Sequence, residues 1–109
     1  MTGKFLSKRE VKDMNTLKWL EKWYKSNCNG DWEHCYNNVI IKTMDNPGWL
    51  VDVNLIETIL EDKPFKKIQI NNNDNDWMTC FVQDGKFKGR GDSEKLEKIL
   101  EIFKEWAES

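Results

Sequence analysis

"DNPGWLVDVNL", residues 45–55, decides the fold class of this chain. Asp45-Asn46-Pro47-Gly48 is turn chemistry: Pro47 fixes one φ and Gly48 tolerates a positive one, which predicts a type II turn. Beyond the turn, Trp49, Val51, Val53 and Leu55 share one face, while Asp52 and Asn54 point away. That period of two is a half-buried strand. Upstream, "YNNVIIKTM" (36–44) reads as its partner, so the turn joins an antiparallel hairpin.

Further strands follow the connection "ETILEDKP" (57–64). "FKKIQIN" (65–71) places Ile68 and Ile70 inward, "NNNDND" (71–76) reads as a polar loop, and "DWMTCFVQ" (76–83) is a fourth strand. Asp84-Gly85 is a strong hairpin signal. "KFKG" (86–89) is expected to be a short fifth strand on an edge, where lysines beside Phe87 resist sheet-to-sheet association.

Helices flank the strands. Asn15 or Thr16 can cap a first helix whose stripe is Leu17, Trp19, Leu20, Trp23 and Tyr24. Gly30 can supply the left-handed residue that ends it. Asp92 or Ser93 can cap a last helix whose apolar residues are Leu96, Ile99, Leu100, Phe103, Trp106 and Ala107. The expected architecture is α+β: an N-terminal helix, a four- to five-stranded antiparallel sheet and a C-terminal helix, with both helices on one sheet face. Residues 1–13 read as a polar basic arm, and 14–109 as a single domain.

The chain has 109 residues, 39% hydrophobic, with six tryptophans as large anchors. A chain of this size buries roughly two-thirds of its extended surface on folding, enough for one core without disulfides or metals. Net charge is -2, unevenly spread. Residues 1–25 carry seven Lys or Arg against three acids, and the rest carries ten against sixteen. A basic lead-in could touch nucleic acid or a membrane surface, but it reads first as a solvated arm and helix face. No stretch approaches the roughly 20 apolar residues of a membrane span, and the N-terminus lacks a secretion signal. Three widely spaced cysteines, Cys28, Cys35 and Cys80, read as reduced thiols, and the expected location is cytoplasmic.

"NGDWEHCYN" (29–37) holds the only histidine, His34, so any chemistry centres there. It fails as zinc: Cys28 and Cys35 lie seven apart, against the two-to-four residue spacing of structural sites. Glu33 and His34 are residue types suited to proton transfer, but no nucleophile motif, Gly-rich phosphate loop or HExxH accompanies them. The alternative is a structural corner, with Asp31 bonding backbone amides just past the helix end, Trp32 packed beneath the sheet or between the helices, and His34 donating to a backbone carbonyl or facing solvent. "NNNDND" lacks the central glycine and closing glutamate of a calcium loop. No cofactor, metal or catalytic residue is expected. Nucleic-acid binding would need a positive face joining Lys4, Lys8, Arg9, Lys12 and Lys18.

Ordered blocks then add a resemblance. "LKWLEKWYKSNCNGDWEH" (17–34), "DNPGWLVDVNL" (45–55), "DWMTCFVQDGKFKGRG" (76–91) and "LEKILEIFKEW" (96–106) span nearly the whole chain after the arm. Together they resemble the immunity protein 53 family of bacterial polymorphic-toxin systems. The family signature falls here on Trp19, Trp23, Gly30, Asp31, Trp32, Glu33 and His34. It continues on Asn46, Pro47, Gly48, Trp49, Asp76, Trp77, Asp84, Gly85 and Phe87. "CYNNVI" and "GRGDSEK" look individual to this chain. The resemblance implies a small cytoplasmic inhibitor, encoded beside a toxin and protecting the producing cell by binding it. The expected partner is therefore a cognate toxin protein, with no membrane, and the chain a monomer or weak dimer. The acidic balance beyond residue 25 would suit a basic toxin such as a nuclease. Candidate partner contacts are Asp31, Glu33, His34, Asp45, Asp74 and Asp76. The alternatives are a small enzyme using Glu33 and His34, or a nucleic-acid adaptor.

Overall fold

The computed structural model describes residues 15–109, so the expected arm, 1–13, lies outside the described residues. The elements run α1 (Thr16–Asn27), α2 (Trp32–Cys35), β1 (Val39–Met44), β2 (Gly48–Asn54), β3 (Ile68–Asn73), β4 (Asp76–Gln83), β5 (Lys86–Asp92) and α3 (Leu96–Glu108). All strand pairs are antiparallel, in the order β1-β2-β5-β4-β3. This is the expected α+β architecture, with α1 and α3 over one face of the sheet.

That face is set by the strand period. Val51 and Val53 of β2, Phe87 of β5, and Met78 and Cys80 of β4 point inward and are essentially fully buried. α3 lies on β2 and β5, and α1 packs on α3. Between the helices Trp19, Trp23 and Phe103 meet with ring centroids 5.1 to 6.5 Å apart. Trp19 also donates its indole N–H to Glu108 Oε2 at 2.9 Å, tying α1 to the end of α3. The 55–67 connection wraps the same helix. Lys63 Nζ donates to the Trp106 carbonyl at 2.7 Å, placing a cation at the negative end of α3. Phe65 packs edge-on against both Phe87 and Trp106.

Several expectations change. β5 is central, between β2 and β4, and not at an edge. Glycine makes this possible. A Cβ on Gly89 would overlap Cγ2 of Ile99, and one on Gly91 would sit 2.6 Å from Lys95 Cβ. With no side chain at either position, α3 seats directly on the β5 backbone. Lys86 and Lys88, expected to guard an edge, lie on the face away from the helices.

The 45–47 loop closes Met44 onto Gly48, but Gly48 has no positive φ, so the type II turn is not formed. Gly48 is required by packing, since a Cβ there would lie 2.5 Å from the Gly91 carbonyl oxygen. The Asp84-Gly85 turn is as expected, with φ of 56° and 74°. "NNNDND" is mostly strand: Asn71 pairs with Trp77 and Asn73 with Asp76, leaving Asp74–Asn75 as the tip. Asn73 Oδ1 holds that tip by accepting from the Asn75 amide at 2.8 Å. Asn15 caps α1, accepting from Lys18 N at 2.8 Å. Asp92 bonds the amide of Glu94 in the turn ahead of α3, rather than capping the helix itself.

Gly89→Ala should therefore overpack the β5–α3 contact and cost about 1–3 kcal/mol by chemical denaturation. Ile99→Ala, which removes the clashing methyl, should make the double variant less destabilised than the two single losses summed. Additive losses would contradict the close-approach account.

Candidate functional site

The six candidate contacts fall into two groups at opposite ends of the sheet. Asp31, Glu33 and His34 belong to the corner before β1, at the Asn54 end of β2. Asp45, Asp74 and Asp76 belong to the turns at the Gly48 end. Seven residues of strand separate the ends by about 20 Å.

The corner contains a short helix that the sequence does not predict. Residues 32–35 form one helical turn, too short to register as a period. Its amides are held by Asn29 and not by Asp31: Asn29 Oδ1 accepts from Asp31 N at 2.9 Å and from Trp32 N at 3.0 Å. Glu33 reaches back, its carboxylate accepting from Asn29 N at 2.9 Å and Gly30 N at 2.7 Å. Gly30 sits at φ 96°, two residues beyond the C-cap of α1. Beneath the corner Trp32 is wholly buried and donates its indole N–H to the Ile56 carbonyl at 3.1 Å. Asn38 carries the anchor onward, from the Trp32 carbonyl to Asn54.

These bonds sort the three corner residues. Glu33 is held below the usual carboxylate range, chiefly by its own backbone amide, then by those of Asn29 and Gly30, against an opposing effect of burial. Its role is to shape the loop. Asp31 and His34 are exposed, and no side-chain hydrogen bond engages either among the described residues. Cys28 and Cys35 flank this corner, whereas Cys80 is in the core, where burial pushes its thiol up to about 12. Among the described residues, no group of three or more His, Cys, Asp or Glu side chains could hold a metal ion.

At the far end Asp45 and Asp74 are exposed turn residues. Asp76 is engaged: it accepts from Lys95 Nζ at 2.8 Å and from Asn72 Nδ2 at 2.9 Å. Lys95 also donates to Asp92 at 2.6 Å, and Asp92 accepts from the amides of Trp77 and Glu94. Asp92 is nearly fully buried. Burial opposes its charge, but Lys95 and the two amides outweigh it and hold the carboxyl at about 2. This cluster joins β4, β5 and the start of α3. A 540 Å³ polar cleft beside it runs between Pro47, Asp74 and Trp77.

A larger feature adjoins the corner. A 710 Å³ groove runs between α1 and β1, lined by Leu17, Tyr24, Tyr36 and Ile41 with Glu21 and Glu33. Leu17 is 61% exposed and Tyr24, Tyr36 and Ile41 are all exposed as well. The sequence assigned Leu17 and Tyr24 to the core-facing stripe of α1. They lie on its flank, because α1 leans on α3 and does not cover β1. No sequence signal separates such a flank from the stripe itself. The opposite sheet face carries Lys42, Lys86, Lys88 and Arg90, with Arg90 paired to Asp52 at 2.9 Å. Of the basic face considered for nucleic acid, Lys4, Lys8, Arg9 and Lys12 lie outside the described residues. Among the described residues no helix is long and apolar enough to cross a membrane.

The family model for Immunity protein 53 matches residues 17–108, from α1 through α3, and the chain belongs to that family. No curated protein and no solved structure matches it.

The buried Asp92 makes a pH test of the far-end cluster. Its folded pKa, about 2, lies below the ordinary 3.8, so its stabilisation is complete above 3.8 and lost as pH falls through 2. Asp76 is lowered too, so it acts in the same direction. Asp92→Asn should lose about 2 kcal/mol at neutral pH, the scale of charged hydrogen bonds. Thermal melts should also show a shallower loss of stability between pH 4 and pH 2 than the unmodified chain. An unchanged acid profile would contradict the role given to this carboxylate.

Proposed function

We propose that this member of the immunity protein 53 family binds a cognate bacterial toxin and neutralises it, making contact at the α1–α2 corner and the groove beside it. The observation that carries the reading is the groove. Exposed Leu17, Tyr24, Tyr36 and Ile41 converge there, and tyrosines with aliphatic neighbours are the kind of anchor that binding surfaces use. Ordinary surfaces scatter such residues singly.

The corner suits the task for a physical reason. Asn29, Glu33 and Trp32 fix its backbone before any partner arrives, so little ordering is needed on binding. Asp31 and His34 stand free on this rigid base. The acids at the groove, Glu21 and Glu33, favour a basic toxin surface such as that of a nuclease. Asp45, Asp74 and Asp76, about 20 Å away, fit a second contact only if the toxin spans the sheet.

The alternative, catalysis by Glu33 and His34, has less support. Glu33 is engaged by two loop amides and held ionised, which suits it poorly to donating a proton. No hydroxyl or thiol nucleophile is hydrogen-bonded to His34 among the described residues.

Co-expression with the neighbouring gene's product tests the proposal. That product should arrest growth alone, and this chain should restore growth and copurify with it. The double change Asp31→Ala with His34→Ala should weaken binding by about tenfold or more, equivalent to about 1.4 kcal/mol, at unchanged thermal stability. Failure of the unmodified chain to rescue or copurify would overturn the reading. Normal affinity of the double variant would remove the corner from the contact.

A further inference from the structure

The two edges of the sheet are built differently. β3, at one edge, is polar along most of its length and carries a register shift between Asn71 and Asn73. Bulges and polar side chains are how edges resist pairing with other chains. β1, at the other edge, reads "VIIKTM", has no register shift and contains no proline. Its one lysine, Lys42, pairs with Leu50 and so points off the face away from the helices.

The unpaired backbone groups of β1 can be located. Asn54 donates its amide to the Asn38 carbonyl at 2.8 Å, so residues 38, 40 and 42 bond inward to β2. By antiparallel alternation Val39, Ile41 and Thr43 direct their N–H and C=O groups outward from the sheet. Their side chains pair with Val53, Val51 and Trp49, which places them on the helix side, where the groove runs. No described residue pairs with this edge. Open backbone bonds and a groove with exposed Leu17, Tyr24, Tyr36 and Ile41 therefore run side by side.

We propose that β1 accepts a sixth strand supplied by the toxin, an extended segment whose alternate apolar side chains enter the groove between α1 and β1. This rests on the toxin-binding reading above and specifies how binding occurs. Main-chain bonds to Val39, Ile41 and Thr43 supply affinity, and pockets for every second side chain supply selectivity. Charge identifies the occupant. Among the described residues the groove is lined by two acids, Glu21 and Glu33, and no base. Glu21 meets only the exposed Lys18, at 3.3 Å, a surface pair that another cation can displace, so the incoming strand carries a Lys or Arg toward Glu21. A second copy of this chain does not fit that requirement, because β1 offers only Val39, Ile41 and Thr43 on the groove side.

Amide hydrogen exchange followed by NMR, on labelled chain with the purified product of the neighbouring toxin gene, tests the proposal. The amides of Val39, Ile41 and Thr43 should slow by about tenfold or more on binding, while Gln69 and Asn71 of β3 stay as they were. Thr43→Pro removes one outward donor at a position where edge strands tolerate proline, and Glu21→Lys reverses the groove charge. Each should weaken toxin binding about tenfold or more with the far-ultraviolet spectrum retained. If Thr43→Pro does not fold, the exchange measurement on the unmodified chain decides. Toxin that binds without slowing these three amides overturns the strand proposal and leaves the toxin-binding reading standing. Toxin that fails to bind the unmodified chain overturns both. A stable dimer that Thr43→Pro disrupts and toxin does not displace assigns the edge to a second copy, and also overturns the proposal.

Discussion

The seating of α3 on the bare backbone of β5 organises the rest of the molecule. Gly89 and Gly91 leave no side chain between strand and helix, so Ile99 and Lys95 rest where Cβ atoms would otherwise lie. Close packing has no tolerance for an added methyl at such a contact. The helix therefore covers the centre of the sheet, on β2 and β5. Lys95 is brought onto Asp76 and Asp92, and the connection through Lys63, Pro64 and Phe65 closes over its far end.

A consequence follows for α1. With the centre occupied, α1 packs against α3, where Trp19 and Trp23 meet Phe103. The outer flank of α1 and the edge strand β1 are left facing a groove rather than each other. The one-turn helix α2, pinned by Trp32, contributes Glu33 to the lining of that groove. Core packing and the candidate binding surface thus have one origin.

Much of the fold could be read from the residues, because alternation in "WLVDVNL" and the three-and-four spacing of Leu96 to Trp106 are direct records of burial. The central place of β5 is illegible for the complementary reason. In "KFKGRGD" the inward positions after Phe87 are glycines, which carry no hydropathy, so a central strand reads as a polar edge. Gly48 misled similarly: its turn-forming capacity is visible in sequence, whereas the Gly91 carbonyl it must clear belongs to another strand. At the site, the polarity of Asp31 and His34 was legible and their exposure agrees with it. The structural role of Glu33 was hidden in loop geometry, and the groove was hidden because exposed Leu17 and Tyr24 continue the same apolar stripe as buried Trp19 and Trp23. The burial of Asp92 leaves no mark in the sequence, because its partners, Trp77 and Lys95, are distant or off its own strand.

Membership of the immunity protein 53 family and an open edge strand beside the α1–β1 groove combine into the proposed account of toxin binding. Rigid parts hold the edge in place, and the protection given to the β3 edge is absent from β1. A crystal structure of the chain with its neighbouring gene's product tests this most directly. The account predicts one continuous six-stranded sheet, with a toxin segment hydrogen-bonded to Val39, Ile41 and Thr43 and a basic side chain facing Glu21. A toxin seated instead on the Asp45 and Asp74 turns, or on the Lys88 and Arg90 face, with β1 left bare, would contradict it.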